Sequence, residues 1–219
     1  QIGDRITVLK DGSTVATGTW AAHSGAASVP VQVTSTAIVL NQGSGSREDV
    51  YVPLGTTITT GQTFYASFDV TVSGGSNTVY FAHFKDGGSG TAFNSRIFIT
   101  ASPGGDFTFG IGDVGASATA TFSTRFSFNT TYKLVVAYHY DGGVSDLWVN
   151  PVTESPEKIT STDADPSQVM SAFAFRQAAG NSVQVIDSLM VGTRFNDVVP
   201  EPSCVLLGAF GFLGLVRRR

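Results

Sequence analysis

Phe64-Tyr65-Ala66-Ser67-Phe68-Asp69-Val70-Thr71-Val72 is the stretch on which the fold turns. Side chains alternate along a strand, so Phe64, Ala66, Phe68, Val70 and Val72 share one face and Ser67, Asp69 and Thr71 the other. That pattern predicts a strand with one side on a core and one on water. Similar segments lie outward from it: Val79 to Phe84, Arg96 to Thr100, Phe107 to Ile111, Tyr132 to Tyr140, Leu147 to Val149, Phe173 to Arg176 and Val183 to Val191. Gly74-Gly75, Gly87-Gly88, Pro103-Gly104-Gly105 and Gly142-Gly143 separate them with turn chemistry. Near the start, Ile6 to Lys10 and Ser13 to Ala16 flank Asp11-Gly12, a dipeptide that suits a tight hairpin because its residues tolerate positive φ. Many short strands without long helical periodicity need two packed sheets or a barrel. The expectation is an all-β, two-sheet antiparallel jelly-roll sandwich over residues 1–197, with 198–219 as a separate tail carrying a short hydrophobic helix.

Composition narrows the partners. Hydrophobic residues make up 42% of the chain, enough for a core, and charged residues only 14%. Up to Pro200 there are ten basic and sixteen acidic residues, a net charge of −6, which gives no electrostatic reason to bind nucleic acid. The basic residues are scattered singly until Arg217 to Arg219. Cys204 is the single cysteine, so no intrachain disulfide forms. The sequence opens at Gln1 without an apolar run, so an export signal is expected to have been removed.

Residues 199–219 read VPEPSCVLLGAFGFLGLVRRR. The apolar run 204–216 would form a helix of about 20 Å, short of the roughly 30 Å of a bilayer core, though arginines can snorkel to phosphates. It has no polar face, and Gly208, Gly211 and Gly214 would weaken a soluble helix. Terminal arginines should stay cytoplasmic and place the domain outside. The order Val199-Pro200-Glu201-Pro202, apolar run, Arg217-Arg218-Arg219 resembles the PEP-CTERM sorting signal of Gram-negative bacteria. The resemblance implies recognition by an exosortase and processing near Pro-Glu-Pro. It also implies an exported protein, transiently anchored in the membrane by its tail and delivered to the cell surface or extracellular matrix.

A second resemblance runs through the domain. GTWAAHSG (18–25), FDVTV (68–72), FTFGIG (107–112), YKLVVAYHY (132–140), LWVNP (147–151), FAFRQ (173–177) and VIDSLMVGTRFNDV (185–198) are similar to the laminin-G and concanavalin-A-like jelly rolls of secreted bacterial proteins. The resemblance implies a fold, and a fold does not fix a function.

Glycoside hydrolysis needs two suitably spaced carboxylates, yet the domain's glutamates are Glu48, Glu154 and Glu157, and none forms a same-face strand pair. His23, His83 and His139 have no metal-ligand spacing. No Gly-x-Ser-x-Gly elbow occurs. The expectation is a protein without catalytic residues. Asp86, Asp163 and Asp165 in loops are calcium candidates. Trp20, Trp148, Tyr138 and Tyr140 are candidates for stacking on sugar rings, with packing beneath a connection as the competing reading. If Leu147 and Val149 face the core, Trp148 faces the other way, where a loop either covers it or leaves it free. Two functions follow: a structural or adhesive surface protein that associates with itself, or a carbohydrate-binding module that holds the cell to exopolysaccharide. The sequence favours the first: a weakly charged β-rich surface has little repulsion to oppose lateral association, and the strand Ile6 to Leu9 could pair with its own sandwich or with a neighbour's exposed edge.

Overall fold

The computed structural model describes residues 5–10, 13–25, 28–34, 36–75, 79–88, 90–102, 106–155 and 157–200. Its elements are β1 (Arg5–Lys10), β2 (Ser13–Thr19), β3 (Ala21–Ser24), β4 (Gln32–Val33), β5 (Ile38–Asn41), β6 (Asp49–Pro53), β7 (Thr63–Ser73), β8 (Tyr80–Lys85), β9 (Phe93–Ala101), β10 (Phe107–Gly112), β11 (Ala120–Thr121), β12 (Thr131–His139), β13 (Val144–Val149), β14 (Ile159–Thr160), β15 (Ala172–Phe175), β16 (Val183–Gly192) and α1 (Phe195–Val198). They form a two-sheet, jelly-roll-like sandwich. The first sheet has nine strands, ordered β14-β13-β12-β7-β16-β1-β2, with β5 also paired to β16 and β4 to β5. The second has seven, ordered β11-β10-β9-β8-β15-β6-β3.

The alternation in β7 does what its sequence predicts. Phe64, Ala66, Phe68, Val70 and Val72 all enter the core between the sheets. There Phe68 meets Phe81, Phe173 and Phe175 of the second sheet at ring separations of 6.2, 6.0 and 5.4 Å. Pairing is antiparallel except between β1 and β16, which run parallel through Thr7↔Met190 and Val8↔Val191. The other edge of β1 pairs with β2 in a register that runs from Arg5↔Thr19 to Lys10↔Ser13. Near its middle β16 breaks register between Asp187 and Met190, where Ser188 takes a φ of 57°. On either side of that irregularity one edge of β16 serves two partners, β5 through Val183–Ile186 and β1 through Met190 and Val191.

Ser67 departs from expectation. It faces away from the sandwich core, yet it is fully buried, and its hydroxyl donates to the Val198 carbonyl at 2.8 Å. The chain after β16 doubles back over the outer face of the first sheet. Asp197 holds that return, its Oδ2 accepting the backbone N–H of Thr193 at 3.1 Å and of Arg194 at 2.9 Å. A Cβ on Gly192 would lie 2.4 Å from the Asp197 Cβ, so the approach requires glycine there. Phe195, Val198 and Val199 then close a second apolar cluster with Tyr65, Val135, Ala137 and Trp148. Val198 and Val199, placed with the tail by sequence, thus pack on the sandwich.

Glu201, Pro202, Arg217, Arg218 and Arg219 of the sorting-signal resemblance, and the helix expected over 204–216, lie outside the described residues. The localisation expected from that tail is corrected: among the described residues no helix is long and apolar enough to cross a membrane.

Candidate functional site

Small residues open the site. On the outer face of the second sheet, Ala172 and Ala174 of β15 sit in the middle of the strand order. Ala174 pairs with Tyr51 on one side and His83 on the other. Five strands lie from β3 to β9 in the order β3-β6-β15-β8-β9, which would span about 19 Å if flat. Yet the rings of His23 on β3 and Phe93 on β9 are 5.5 Å apart. The face therefore curls, and side chains from both rims meet over the alanines.

At its centre is His83. It is 3% exposed, and neither ring nitrogen has a hydrogen-bond partner among the described residues. Rings enclose it: Phe93 at 4.7 Å and Tyr80 at 5.1 Å, both edge-on. Burial, then the positive charges of Arg176 and Arg96, then His23 and Lys85, hold its pKa well below the usual histidine value. The imidazole is neutral at pH 7, with one donor and one acceptor to offer.

Cations lie around it. The Arg176 guanidinium is 4.5 Å from the Tyr80 ring centre and that of Arg96 5.2 Å. Arg96 is fixed by neutral acceptors, donating to the carbonyls of Phe93 at 3.2 Å, Gly115 at 2.5 Å and Val114. Arg176 has a looser partner, Asp49, at 3.9 Å. Lys85 is fully buried, donates to the carbonyls of Gly87 and Gly88, and lies 5.1 Å from the Tyr51 ring. Burial lowers its pKa, against the opposing effect of Asp86 at 3.8 Å. Asp49 accepts from Ser24 Oγ at 2.8 Å and the Gln177 N–H at 2.9 Å.

The residues singled out by sequence lie elsewhere, apart from Asp86. Trp20 stacks on Phe175 at 5.5 Å inside the sandwich and is 8% exposed. Tyr138 is fully buried in the same core, its hydroxyl donating to the Asp165 carbonyl at 3.1 Å, and burial pushes its pKa up to about 12. Tyr140 packs partly buried against that core. Trp148 points to the other face, as expected, and is covered. Phe195 meets it at 5.6 Å, Lys158 lies 5.3 Å from its ring, and its N–H donates to the Ser155 carbonyl at 2.9 Å. Trp20, Tyr138 and Trp148 thus leave no open ring face for a sugar.

The calcium candidates hold loops. Asp163 accepts the N–H groups of Asp113, Val114 and Gly115 at 2.9, 2.8 and 3.2 Å, and the Thr119 hydroxyl at 2.8 Å. Burial works to raise its pKa, but these donors outweigh it and lower it. Asp165 Oδ1 accepts from Gln168 at 3.0 Å, and Asp86 pairs with Lys85. Among the described residues no three His, Cys, Asp or Glu side chains converge to hold a metal. His139 belongs to a cross-strand ladder on the first sheet, with Thr63 Oγ1 at 3.1 Å from Nδ1 and Asp146 Oδ2 at 2.8 Å from Nε2.

Sequence reading missed the His83 centre. Arg96 and Arg176 stand alone in the sequence, and β8 breaks its register at Tyr80/Ala82 and Ala82/Phe84, which hides that Tyr80 and His83 share a face. A charged residue directly after an apolar strand, as Arg176 after Ala172–Phe175, is the available signal.

No family model matches the chain, and no curated protein matches it. Solved structures are similar at the level of architecture. A family 66 carbohydrate-binding module from Bacillus subtilis is 14% identical, with 84% of this chain and 98% of that one covered and a TM-score of 0.47. An alginate lyase from an Alteromonas species is 15% identical, with 78% and 92% covered and a TM-score of 0.46. A family 7 polysaccharide lyase, also an alginate lyase, is 14% identical, with 74% and 81% covered and a TM-score of 0.48. Similarity this distant concerns the sandwich and says nothing of a ligand.

Proposed function

We propose that the domain binds carbohydrate on the outer face of its second sheet. The observation that carries this is His83, a buried neutral imidazole with both ring nitrogens unpartnered, set among rings. An unpartnered buried polar group costs about 1–3 kcal/mol, a cost that a ligand hydroxyl would relieve. Sugar sites combine ring faces with a few convergent polar groups. The partly exposed rings of Tyr51 and Phe93, with His83, Arg96 and Arg176, supply that combination here.

The self-associating matrix reading has less support. One of its grounds is β1 offering an edge to a neighbour, and β1 is paired on both sides within its own sheet. A glycan array with the full chain, followed by titration calorimetry, tests the proposal. The expected result is saccharide binding that Tyr51→Ala and His83→Leu abolish while the protein stays folded. A chain that binds no glycan and forms concentration-dependent oligomers in light scattering would overturn it.

A further inference from the structure

We propose that the ligand of this face is a carboxylated polysaccharide, its uronate groups received by Arg176 and Arg96 beside the Tyr80 ring, an inference that rests on the face being a carbohydrate site. The reasoning is one of unspent charge. Up to Pro200 the chain carries a net charge of −6, yet Lys85, Arg96 and Arg176 gather on one face around the neutral His83. Opposite charge there is limited. Asp49 lies 3.9 Å from Arg176 and is already engaged by Ser24 and the Gln177 N–H. Arg96 is held by carbonyl oxygens, which fix its position without cancelling its charge. Lys85 is likewise held by carbonyls and is paired with Asp86 at 3.8 Å, so its charge is met within the face and the free charge is that of the two arginines.

The geometry selects the kind of anion. Both guanidinia lie against one tyrosine ring, at 4.5 and 5.2 Å, which holds them ready for a planar acceptor. A guanidinium fork fits a carboxylate with two parallel hydrogen bonds. The side chain of Arg176 is 29% exposed, so a ligand can reach it. The neutral His83, beside the Tyr80 and Phe93 rings, has hydrogen-bonding capacity for a sugar hydroxyl, and the partly exposed Tyr51 and Phe93 rings offer apolar faces to the pyranose. Carboxylate, hydroxyl and an apolar ring face together describe a uronate.

The test uses the full chain with oligogalacturonate, the same oligomer methyl-esterified, dextran sulfate and a neutral cello-oligosaccharide. Oligogalacturonate should bind roughly tenfold or more tightly than its methyl ester, and binding should weaken as salt rises from about 0.05 to about 0.5 M. Arg176→Gln should lose roughly tenfold of that affinity, while Lys133→Gln, on the other sheet, should change nothing. Arg176→Lys, which keeps the charge and loses the fork, should fall between wild type and Arg176→Gln. Near-ultraviolet circular dichroism checks that each variant is folded. Equal binding of acid and ester, lost in His83→Leu, overturns the carboxylate inference and leaves the carbohydrate site standing. Preference for dextran sulfate, or indifference to Arg176→Gln, also overturns it. Binding of none of the four, with none on the glycan array, removes both.

Discussion

On the first sheet the outward residues Tyr65, Val135, Ala137 and Trp148 are covered by Phe195, Val198 and Val199, whereas on the second the outward residues Tyr51, Tyr80, His83, Arg96 and Arg176 cover one another. Both faces grow from the same strand alternation, and both are largely removed from water. They differ in whether polar atoms are satisfied. Under the cap, the Trp148 N–H, the Ser67 hydroxyl and the Tyr65 hydroxyl all have partners, at 2.9, 2.8 and 2.8 Å. On the second sheet His83 has none among the described residues. A covered face with its hydrogen bonds made is finished for stability. One left with a bare imidazole and a loosely paired Arg176 keeps hydrogen-bonding capacity unspent.

The cap should be the costlier place to cut. Phe195→Ala removes a buried ring that touches both Tyr65, at 6.1 Å, and Trp148, at 5.6 Å. It is expected to cost about 3–5 kcal/mol in denaturant unfolding, with Trp148 emission moving to longer wavelength. A cost below about 1 kcal/mol would mean the cap is dispensable and the contrast between the faces is wrong.

The next effect is titratable. Asp146, two residues before Trp148 on the same outward row, is buried. Burial would raise its pKa, but hydrogen bonds from His139, Lys158 and Thr160, with the charge of Lys158, bring it from 3.8 down to about 2. Its folded value lies below its unfolded one, so its contribution is complete above about pH 4 and is lost as pH falls toward 2. The difference between 3.8 and about 2 corresponds to about 2 kcal/mol. Asp146→Asn should flatten that part of the stability–pH curve, measured by urea unfolding between pH 2 and pH 5; an unchanged slope would refute the assignment.

The smallest effect has the opposite sign. His83→Leu replaces an unsatisfied imidazole with an apolar side chain and should stabilise the domain by about 1 kcal/mol. The native pKa of His83 is depressed, so unfolding takes up a proton below about pH 6.5 and wild-type stability declines as pH drops through that value. The leucine variant should lack this decline. A large destabilisation instead would make His83 structural and bring the two faces into line with each other.

How far the sequence carries depends on where the cover comes from. The β7 alternation named five core residues because strand period alone decides them. The same period turned Trp148 outward correctly, but it could not tell that Phe195 would lie over it from 47 positions along the chain. Ser67 was read as facing water for the same reason, its cover coming from Val198. The second sheet was harder. Its candidate site is assembled from β3, β6, β8, β9 and the residue after β15, with few polar residues on each, and the register breaks in β8 shift the period just where Tyr80 and His83 occur.

The divided edge of β16 bears on how the molecule assembles in time. Val183–Gly192 joins β7, β5 and β1, so three strands made much earlier wait for one made late. Until it leaves the ribosome, the N-terminal hairpin has no sheet to join and the apolar row of β7 is paired only through β12. Contacts such as Thr7↔Met190 close a very long loop, and chains ruled by such contacts fold slowly, in milliseconds to seconds rather than microseconds. The first sheet can therefore be completed only once β16 is made, and its unpaired edges are open to aggregation until then.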